Sequence, residues 1–306
     1  MPGGSAHWFG TVWDQISRIE LRYIVLGCVL QGAQTVLNGI CWRNILRASY
    51  PESDVPMRPI VAAYAAGVGL NEVLPAQAGT VAYLGLFRRV IPGSRMVTIT
   101  AGAIAQNLFF TVLGAGVFAY LLISRPAGRD RIVSRFSGHL MFWFVIAAIV
   151  AGVIALVVRR YWNQVRRFWA HASAGAAILG QPMRYLREVA ALQAVSYALR
   201  LGVNATFMYA AGIPVTVETV LLIAAAHSIS GTLAVTPGGF GTQQALDSIV
   251  LHSVAPAAVV TACSLAQETI VMTFNVIFGL ALLVAFLGIS ESRNVFAALR
   301  EQPASS

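Results

Sequence analysis

Charged residues are scarce in this chain, and lysine is missing altogether. Only 11% of the 306 residues are charged and 57% are hydrophobic, whereas a soluble globular protein carries about 25% charged residues. All 21 basic residues are arginine, which we attribute to the codon usage of a GC-rich bacterial genome. The net charge of +9 comes from arginine-rich stretches between apolar runs, where anionic lipid headgroups are the natural counterpart. The composition predicts a multi-pass membrane protein and argues against nucleic-acid binding.

Residue patterns that usually carry chemistry are also missing. Cys28, Cys41 and Cys263 lie in apolar runs without a CxxC motif or a cysteine–histidine cluster, which argues against disulfides and structural zinc. His227 and His252 have no metal-ligand spacing, and no serine, histidine and acid stand at the spacing of a catalytic set. No Lys-Ser/Thr pair follows a glycine-rich loop, so a nucleotide site of the Walker type is not expected. We therefore expect no enzymatic activity, no metal and no cofactor.

Long apolar runs dominate what remains. A helix that crosses the hydrocarbon core needs about 20 residues, and two of the runs, at 76–87 and 239–254, are too short for that. The first 20 residues predict an amphipathic interfacial helix, residues 21–290 a single membrane domain, and residues 291–306 a polar tail. The fold class is thus an all-α polytopic membrane protein with about seven transmembrane helices. The predicted spans are 23–46, 59–74, 96–123, 140–158, 189–211, 217–235 and 257–287.

Arginines suggest an orientation for these spans. The stretch 159–187 carries six arginines, with Glu188 directly after it. By the positive-inside rule this stretch should face the cytoplasm. Arg88, Arg89 and Arg95 should then lie on the same side.

A Pro-x-x-x-Gly-Thr pattern occurs twice, and each copy follows an apolar run. It begins at Pro75 and again at Pro237, and Gln106 and Gln267 form a second echo about thirty residues later. Paired apolar segments that are interrupted by glycine and proline point to a binding site in the middle of the membrane. We predict an internal repeat, about 59–123 and about 217–287, with two re-entrant segments; the sequence leaves open whether the repeats are parallel or inverted. The predicted hinge residues are Pro75, Gly79, Pro237, Gly238, Gly239 and Gly241.

Polar residues beside these breaks are the candidates for substrate binding. A carboxylate such as that of Glu72 costs several kcal/mol at bilayer depth unless it is paired or protonated, so it indicates a substrate or proton site, or else a position just past the hydrocarbon edge. Arg200 is suited to a lipid phosphate, or to a structural ion pair with Glu72 or Glu268. The glycine-rich break can present free N–H groups to an anion or act only as a hinge. The amides can line a path or join helices. The candidate set is Asn71, Glu72, Gln77, Thr80, Arg200, Gln243, Gln244 and Glu268.

At the two breaks the chain resembles the transmembrane region of lysylphosphatidylglycerol synthases, including stand-alone, YbhN-like membrane proteins. The resemblance rests on an Asn-x-x-x-Pro break at Asn71 and a Pro-Gly-Gly-x-Gly break at Pro237, and it covers most of the chain. It implies movement of a phospholipid, anionic or aminoacylated, without aminoacyl transfer, since the chain has no room for the synthase domain. Positions that are often charged in the family are neutral here, among them Gln77, Thr80 and Gln244.

The sequence therefore predicts a protein that flips a phospholipid or a lipid-linked headgroup between leaflets. Because no ATP-binding motif is present, transport would be passive or driven by protons through Glu72 or Glu268. The neutral motif positions favour an alternative, a non-transporting partner or scaffold of a lipid-modifying enzyme or glycosyltransferase. A membrane-embedded lipid enzyme is the least favoured, because no nucleophile–base set is visible.

Overall fold

The computed structural model describes residues 19–74, 78–124, 173–232 and 241–300. Within these ranges the chain forms helices and no strands, as the sequence predicts. A 3-10 turn at Ala177–Gly180, a helical turn at Pro182–Tyr185 and a π-helical turn at Leu186–Ala190 lead into the fifth long helix. The long helices are α1 Leu21–Ser49, α2 Met57–Val73, α3 Ala78–Val90, α4 Met96–Ser124, α5 Ala191–Ala210, α6 Val217–Thr232, α7 Thr242–Val250 and α8 Ala257–Arg300.

Several predicted features fall outside the described residues. They include almost all of the interfacial helix at 1–20, the span at 140–158 and most of the arginine-rich stretch. Pro75 and Gln77 of the first break, and Pro237, Gly238 and Gly239 of the second, also lie outside. The region predicted as a polar tail begins as helix, because α8 continues to Arg300 past non-helical backbone at Gly288, where φ is 84°.

Three described helices are long and apolar enough to cross a membrane: Leu21–Ser49, Met96–Gly114 and Ala257–Gly288. Their exposed faces carry apolar side chains at helical spacing. Such continuous exposed apolar stripes would be costly in water and are typical of surfaces that face lipid. The protein is therefore a multi-pass membrane protein. The exposed stripe residues are Val25 and Val29 on α1, Ile104, Leu108 and Val112 on α4, and Ile277, Leu280 and Val284 on α8.

Helix α1 runs antiparallel to α5 along most of its length. Near the Leu21 end of α1, a side chain on Gly27 would meet the ring of Phe207. In the middle, Asn38 Nδ2 donates to Ser196 Oγ over 2.8 Å. Towards the Ser49 end, Asn44 Nδ2 donates to the Glu188 carbonyl over 2.8 Å. The positions of the other helices can therefore be described relative to the Leu21 end and the Ser49 end of α1.

Helices α2 and α8 also run antiparallel, and small residues bring their backbones together. A Cβ on Gly69 would lie 2.7 Å from the Asn275 carbonyl oxygen, and one on Gly279 would lie 2.5 Å from that of Ala65. Close approach through small residues is how membrane helices maximise van der Waals contact where no hydrophobic force drives them together. The crossing fixes the depth of Asn275 relative to α2.

Helices α2 and α3 form the first hairpin, and its open end lies at the Ser49 end of α1. Val55 before α2 and Ile91 after α3 share one buried cluster with Leu46 of α1. The turn of this hairpin is level with Gln31, well inside α1, because Gln31 and Gly69 both contact Asn275.

Helices α6 and α7 form the second hairpin, which opens towards the other end. Val220 of α6 and Leu251 after α7 share a buried cluster with Phe207, and Phe207 packs at Gly27 near the Leu21 end of α1. The two hairpins thus enter the helix bundle from opposite ends of α1, and α8 passes beside both.

Arginines gather at the Ser49 end. The Arg95 backbone N–H donates to the Tyr50 hydroxyl over 3.0 Å. Arg184 pairs with Glu188 at 3.0 Å, whose carbonyl is held by Asn44. The structure therefore places Arg95 and Arg184 at one end of the bundle, on the common side that the sequence predicts.

Candidate functional site

A chain of three polar side chains crosses the middle of the bundle. Gln31 Nε2 of α1 donates to Asn275 Oδ1 of α8 over 3.1 Å. Asn275 Nδ2 in turn donates to Glu72 Oε1, at the end of α2, over 2.9 Å. Asn275 is 2% exposed, so both of its contacts lie inside the bundle. The Glu72 carboxylate is thereby held at the turn of the first hairpin rather than released towards solvent.

Asn71, the neighbour of Glu72, bonds to the start of α3 instead. Its Oδ1 accepts the Thr80 backbone N–H over 3.1 Å, and its Nδ2 donates to Thr80 Oγ1 over 3.1 Å. The amide therefore caps the first turn of α3, where backbone N–H groups have no partner within the helix. Asn71 and Thr80, both predicted to bind substrate, close the hairpin with their recorded hydrogen bonds.

The equivalent glycines of the two breaks are required for different reasons. A Cβ on Gly79 would collide with the Gly67 carbonyl oxygen and the Asn71 backbone, so the hairpin can close only on a glycine. No described residue lies within 4 Å of a Cβ placed on Gly241, but its φ is 88°, a conformation that side-chain-bearing residues rarely adopt. Each break depends on its glycine, one for space and one for conformation.

The two glutamines after the second break, Gln243 and Gln244, make different contacts. The Gly241 backbone N–H donates to Gln244 Oε1 over 2.6 Å, so Gln244 folds back to cap its own helix. Its Nε2 is buried and has no partner in the described part of the chain. Gln243 instead lies beside the Glu268 carboxylate of α8, within hydrogen-bond reach. Only Gln243 of this pair faces an acid.

Glu268 of α8 interacts electrostatically with one acid from each hairpin. It is 9% exposed, and it interacts with the charges of both Glu72 and Asp247. Glu72 belongs to the first hairpin and Asp247 to the second. Three carboxylates from α2, α7 and α8 therefore share one region of the interior.

Sequence reasoning missed a buried histidine–aspartate contact beside this region. His227 Nε2 of α6 lies 3.1 Å from Asp247 Oδ2 of α7, and Ser264 Oγ of α8 donates to the same oxygen over 2.7 Å. Asp247 is 1% exposed, and its Oδ1 has no partner among the described residues. The signal was a histidine inside an apolar run, but its partner is distant in sequence and became its neighbour only through the hairpin.

Arg200 lies halfway along α5, away from these acids. The structure records no ion pair between Arg200 and Glu72 or Glu268 across the described ranges; its electrostatic neighbour is Tyr197. One turn further on, Asn204 Oδ1 accepts from Gln267 Nε2 over 2.8 Å. Among the described residues, the structure therefore does not show the ion pair with Glu72 or Glu268 that the sequence left open for Arg200.

The second echo of the repeat differs in its two copies. Gln106 and Gln267 both contact α5: the Gln106 carbonyl accepts from Gln193 Nε2 over 2.6 Å, and Gln267 reaches Asn204. Asn107, at the position of Glu268, is exposed and donates to the Ala103 carbonyl of its own helix over 2.9 Å. The second copy thus places an acid inside the bundle, where the first copy has an exposed amide.

The candidate residues fall into three groups. Glu72, Gln243 and Glu268 come together; Asn71 and Gln244 cap helices, Asn71 by binding Thr80; and Arg200 has no recorded contact with the other candidates. No group of three or more histidine, cysteine, aspartate or glutamate side chains is arranged for a metal ion within the described residues.

The chain matches the model of one protein family. That family is described as the lysylphosphatidylglycerol synthase TM region, and the match covers residues 7–279. The match confirms the resemblance predicted from the two breaks. No curated protein and no solved structure matches the chain.

Proposed function

This chain belongs to the lysylphosphatidylglycerol synthase transmembrane-region family, and from that membership we propose that it moves a phospholipid between the leaflets of the bacterial cytoplasmic membrane. The membership connects the chain to lipid. One observation carries the step to translocation. Glu72, at the turn of the first hairpin, interacts with the charge of Glu268 on α8, inside a bundle whose outer helices face lipid.

The proposal assigns a re-entrant form to both hairpins. Helices α2 and α3 enter from the Ser49 end of α1 and turn back, while α6 and α7 enter from the Leu21 end. The repeats are then inverted, an arrangement in which a site near mid-membrane is reached alternately from each side. Non-helical backbone at that depth is tolerated where it is buried in protein or lines a cavity.

Charge indicates which headgroup fits. A carboxylate at mid-membrane is costly unless it is paired, so Glu72 and Glu268 in their charged form suit an amine on the headgroup, as in an aminoacylated phospholipid. Arg200 offers a guanidinium without an acidic partner in the described ranges, which suits the lipid phosphate. The acyl chains would stay in the bilayer while the headgroup passes between the hairpins. No covalent chemistry is required of the protein.

Reconstitution tests the proposal. We expect liposomes with the purified protein to lose inner-leaflet fluorescence of a headgroup-labelled phospholipid to an impermeant quencher faster than empty liposomes do. Glu268→Gln and Arg200→Gln should slow this loss. Arg58→Gln is the matched control for arginine, because Arg58 lies over the Phe286 ring at 5.8 Å on the surface.

A different outcome would favour the alternative function. Equal rates in protein-containing and empty liposomes, with anionic, zwitterionic and aminoacylated lipids alike, would refute lipid movement. Stoichiometric co-purification of a lipid-modifying enzyme would then support a scaffold role.

A further inference from the structure

The proposed lipid path does not use the His227–Asp247 contact, and a contribution to the free energy of folding does not account for it. Both side chains are almost fully buried, at 8% and 2% exposure. A buried polar side chain is costly unless it is hydrogen-bonded, and replacing both partners of such a contact by apolar groups of the same shape can be nearly neutral. Folding stability alone therefore does not account for a histidine and an aspartate at this depth in an apolar hairpin.

The pair is connected to the mid-membrane acids along one face of α8. Ser264 donates to Asp247 Oδ2 over 2.7 Å, and Glu268 follows Ser264 by one helical turn, so both side chains point the same way. Glu268 interacts with the charges of Asp247 on one side and Glu72 on the other. A line from His227 through Asp247 and Glu268 to Glu72 therefore joins the second hairpin to the turn of the first.

Unpartnered atoms lie beside this line. Asp247 Oδ1 and Gln244 Nε2 are both buried without a hydrogen-bond partner in the described ranges. A buried polar atom without a partner costs about 1–3 kcal/mol, and a half-satisfied network is less stable than a complete one. Asp247 therefore contacts His227 and Ser264 through Oδ2 alone, and its Oδ1 keeps unused acceptor capacity.

Few other charged groups of the described helices lie beside the line from His227 to Glu72. Cys263 of α8 interacts with the charge of Asp247, α1 contributes the neutral Gln31 to the Asn275 contact, and Arg200 of α5 interacts with Tyr197 rather than with these acids. The described titratable groups that face the line are Glu72 of α2, His227 of α6, Asp247 of α7, and Cys263 and Glu268 of α8.

We propose that His227, Asp247 and Glu268 form a proton-binding site through which lipid movement is coupled to a proton gradient. The inference rests on the proposed function and names its energy source. Bulk water at the Leu21 end supplies the proton. The imidazole Nε2 takes it and passes it to Asp247 Oδ2, and Glu268 receives it next. Glu268 then releases the proton to water at the Ser49 end, so one proton crosses per cycle, no electrons move, and each group returns to its starting form. Glu268 is then neutral when the cationic headgroup leaves and charged when it binds.

Two measurements on the full chain test the site. In proteoliposomes with an imposed pH gradient, we expect the gradient to accelerate movement of the labelled phospholipid, and His227→Gln or Asp247→Asn to abolish that acceleration. His252→Gln should retain it, because His252 is exposed and contacts the Ile249 carbonyl of its own helix at 2.8 Å. In detergent, infrared difference spectra should show a protonated-carboxyl band that titrates with pH and that Asp247→Asn and His227→Gln each change.

The outcomes separate the two proposals. Lipid movement that is indifferent to the gradient would overturn the proton site and leave lipid translocation standing. A carboxyl band that neither variant changes would overturn it as well, whatever the lipid assay shows. Absence of lipid movement together with an altered band would refute translocation but support the proton site. A variant that fails to fold is replaced by His227→Asn, judged by the same band.

Discussion

Asn275 donates its side-chain N–H to Glu72 over 2.9 Å, and that contact joins the turn of the first hairpin to α8. The carboxylate and the amide are 203 residues apart in the chain. Their contact holds Glu72 within electrostatic range of Glu268, so the mid-membrane site depends on it.

Asn275→Ala should destabilise the protein and slow lipid movement. It leaves Glu72 and Gln31 without their shared partner, and an unsatisfied buried polar group costs about 1–3 kcal/mol. Thermal unfolding in detergent and the quencher assay measure the two effects. Asn107→Ala is the control, since Asn107 is exposed and bonds only within its own helix among the recorded contacts. Equal losses in both variants would contradict the prediction.

Gly79→Ala should prevent the first hairpin from closing. The added methyl group would strike the backbone of Gly67 and Asn71, which cannot move as a flexible side chain can. We expect a lower melting temperature, or aggregation seen by size-exclusion chromatography. Gly85→Ala on the same helix meets nothing within 4 Å and should be neutral or stabilising by up to about 1 kcal/mol. A Gly79→Ala protein as stable as Gly85→Ala would show that the hairpin is not packed this way.

Gly241→Ala should destabilise the second hairpin although space is available there. The cause is backbone conformation, since an L residue at a φ of 88° and a ψ of −51° is strained by about 1–3 kcal/mol. Gly114→Ala, which is helical and also meets nothing within 4 Å, serves as the comparison. Chemical denaturation of both variants in detergent gives the difference. A cost in Gly114→Ala equal to that in Gly241→Ala would argue against a conformational requirement at the break.

Asn71→Leu should loosen the start of α3. The change removes the acceptor for the Thr80 N–H at nearly constant side-chain size, and loss of such a cap costs about 0.5–2 kcal/mol. Hydrogen exchange of the amides in the first turn of α3 should speed up. Asn71→Asp keeps the acceptor and should protect the Thr80 N–H better than Asn71→Leu does. Unchanged exchange in Asn71→Leu would mean that the amide is not the cap.

Most of the helices could be predicted from local pattern, because a helix in lipid satisfies its own backbone and needs only a long apolar run. The run at 96–123 corresponds to α4 at Met96–Ser124, and the short run at 76–87 to α3 at Ala78–Val90. Proline and glycine marked both breaks for the same local reason. The amino-acid sequence by itself therefore determined that this is an all-helical membrane protein, and its two breaks identified the family.

Tertiary structure decided which polar groups meet, since partners depend on how helices cross and rotate rather than on spacing along the chain. Asn71 and Thr80 proved to cap a helix, Arg200 stood apart from Glu72 and Glu268, and His227 acquired Asp247 only when α6 and α7 folded together. The sequence also could not show that the two hairpins enter the bundle from opposite ends, because both breaks have the same Pro-x-x-x-Gly-Thr pattern. It follows from where each hairpin packs along α1: the first against Leu46, and the second against Phe207 beside Gly27.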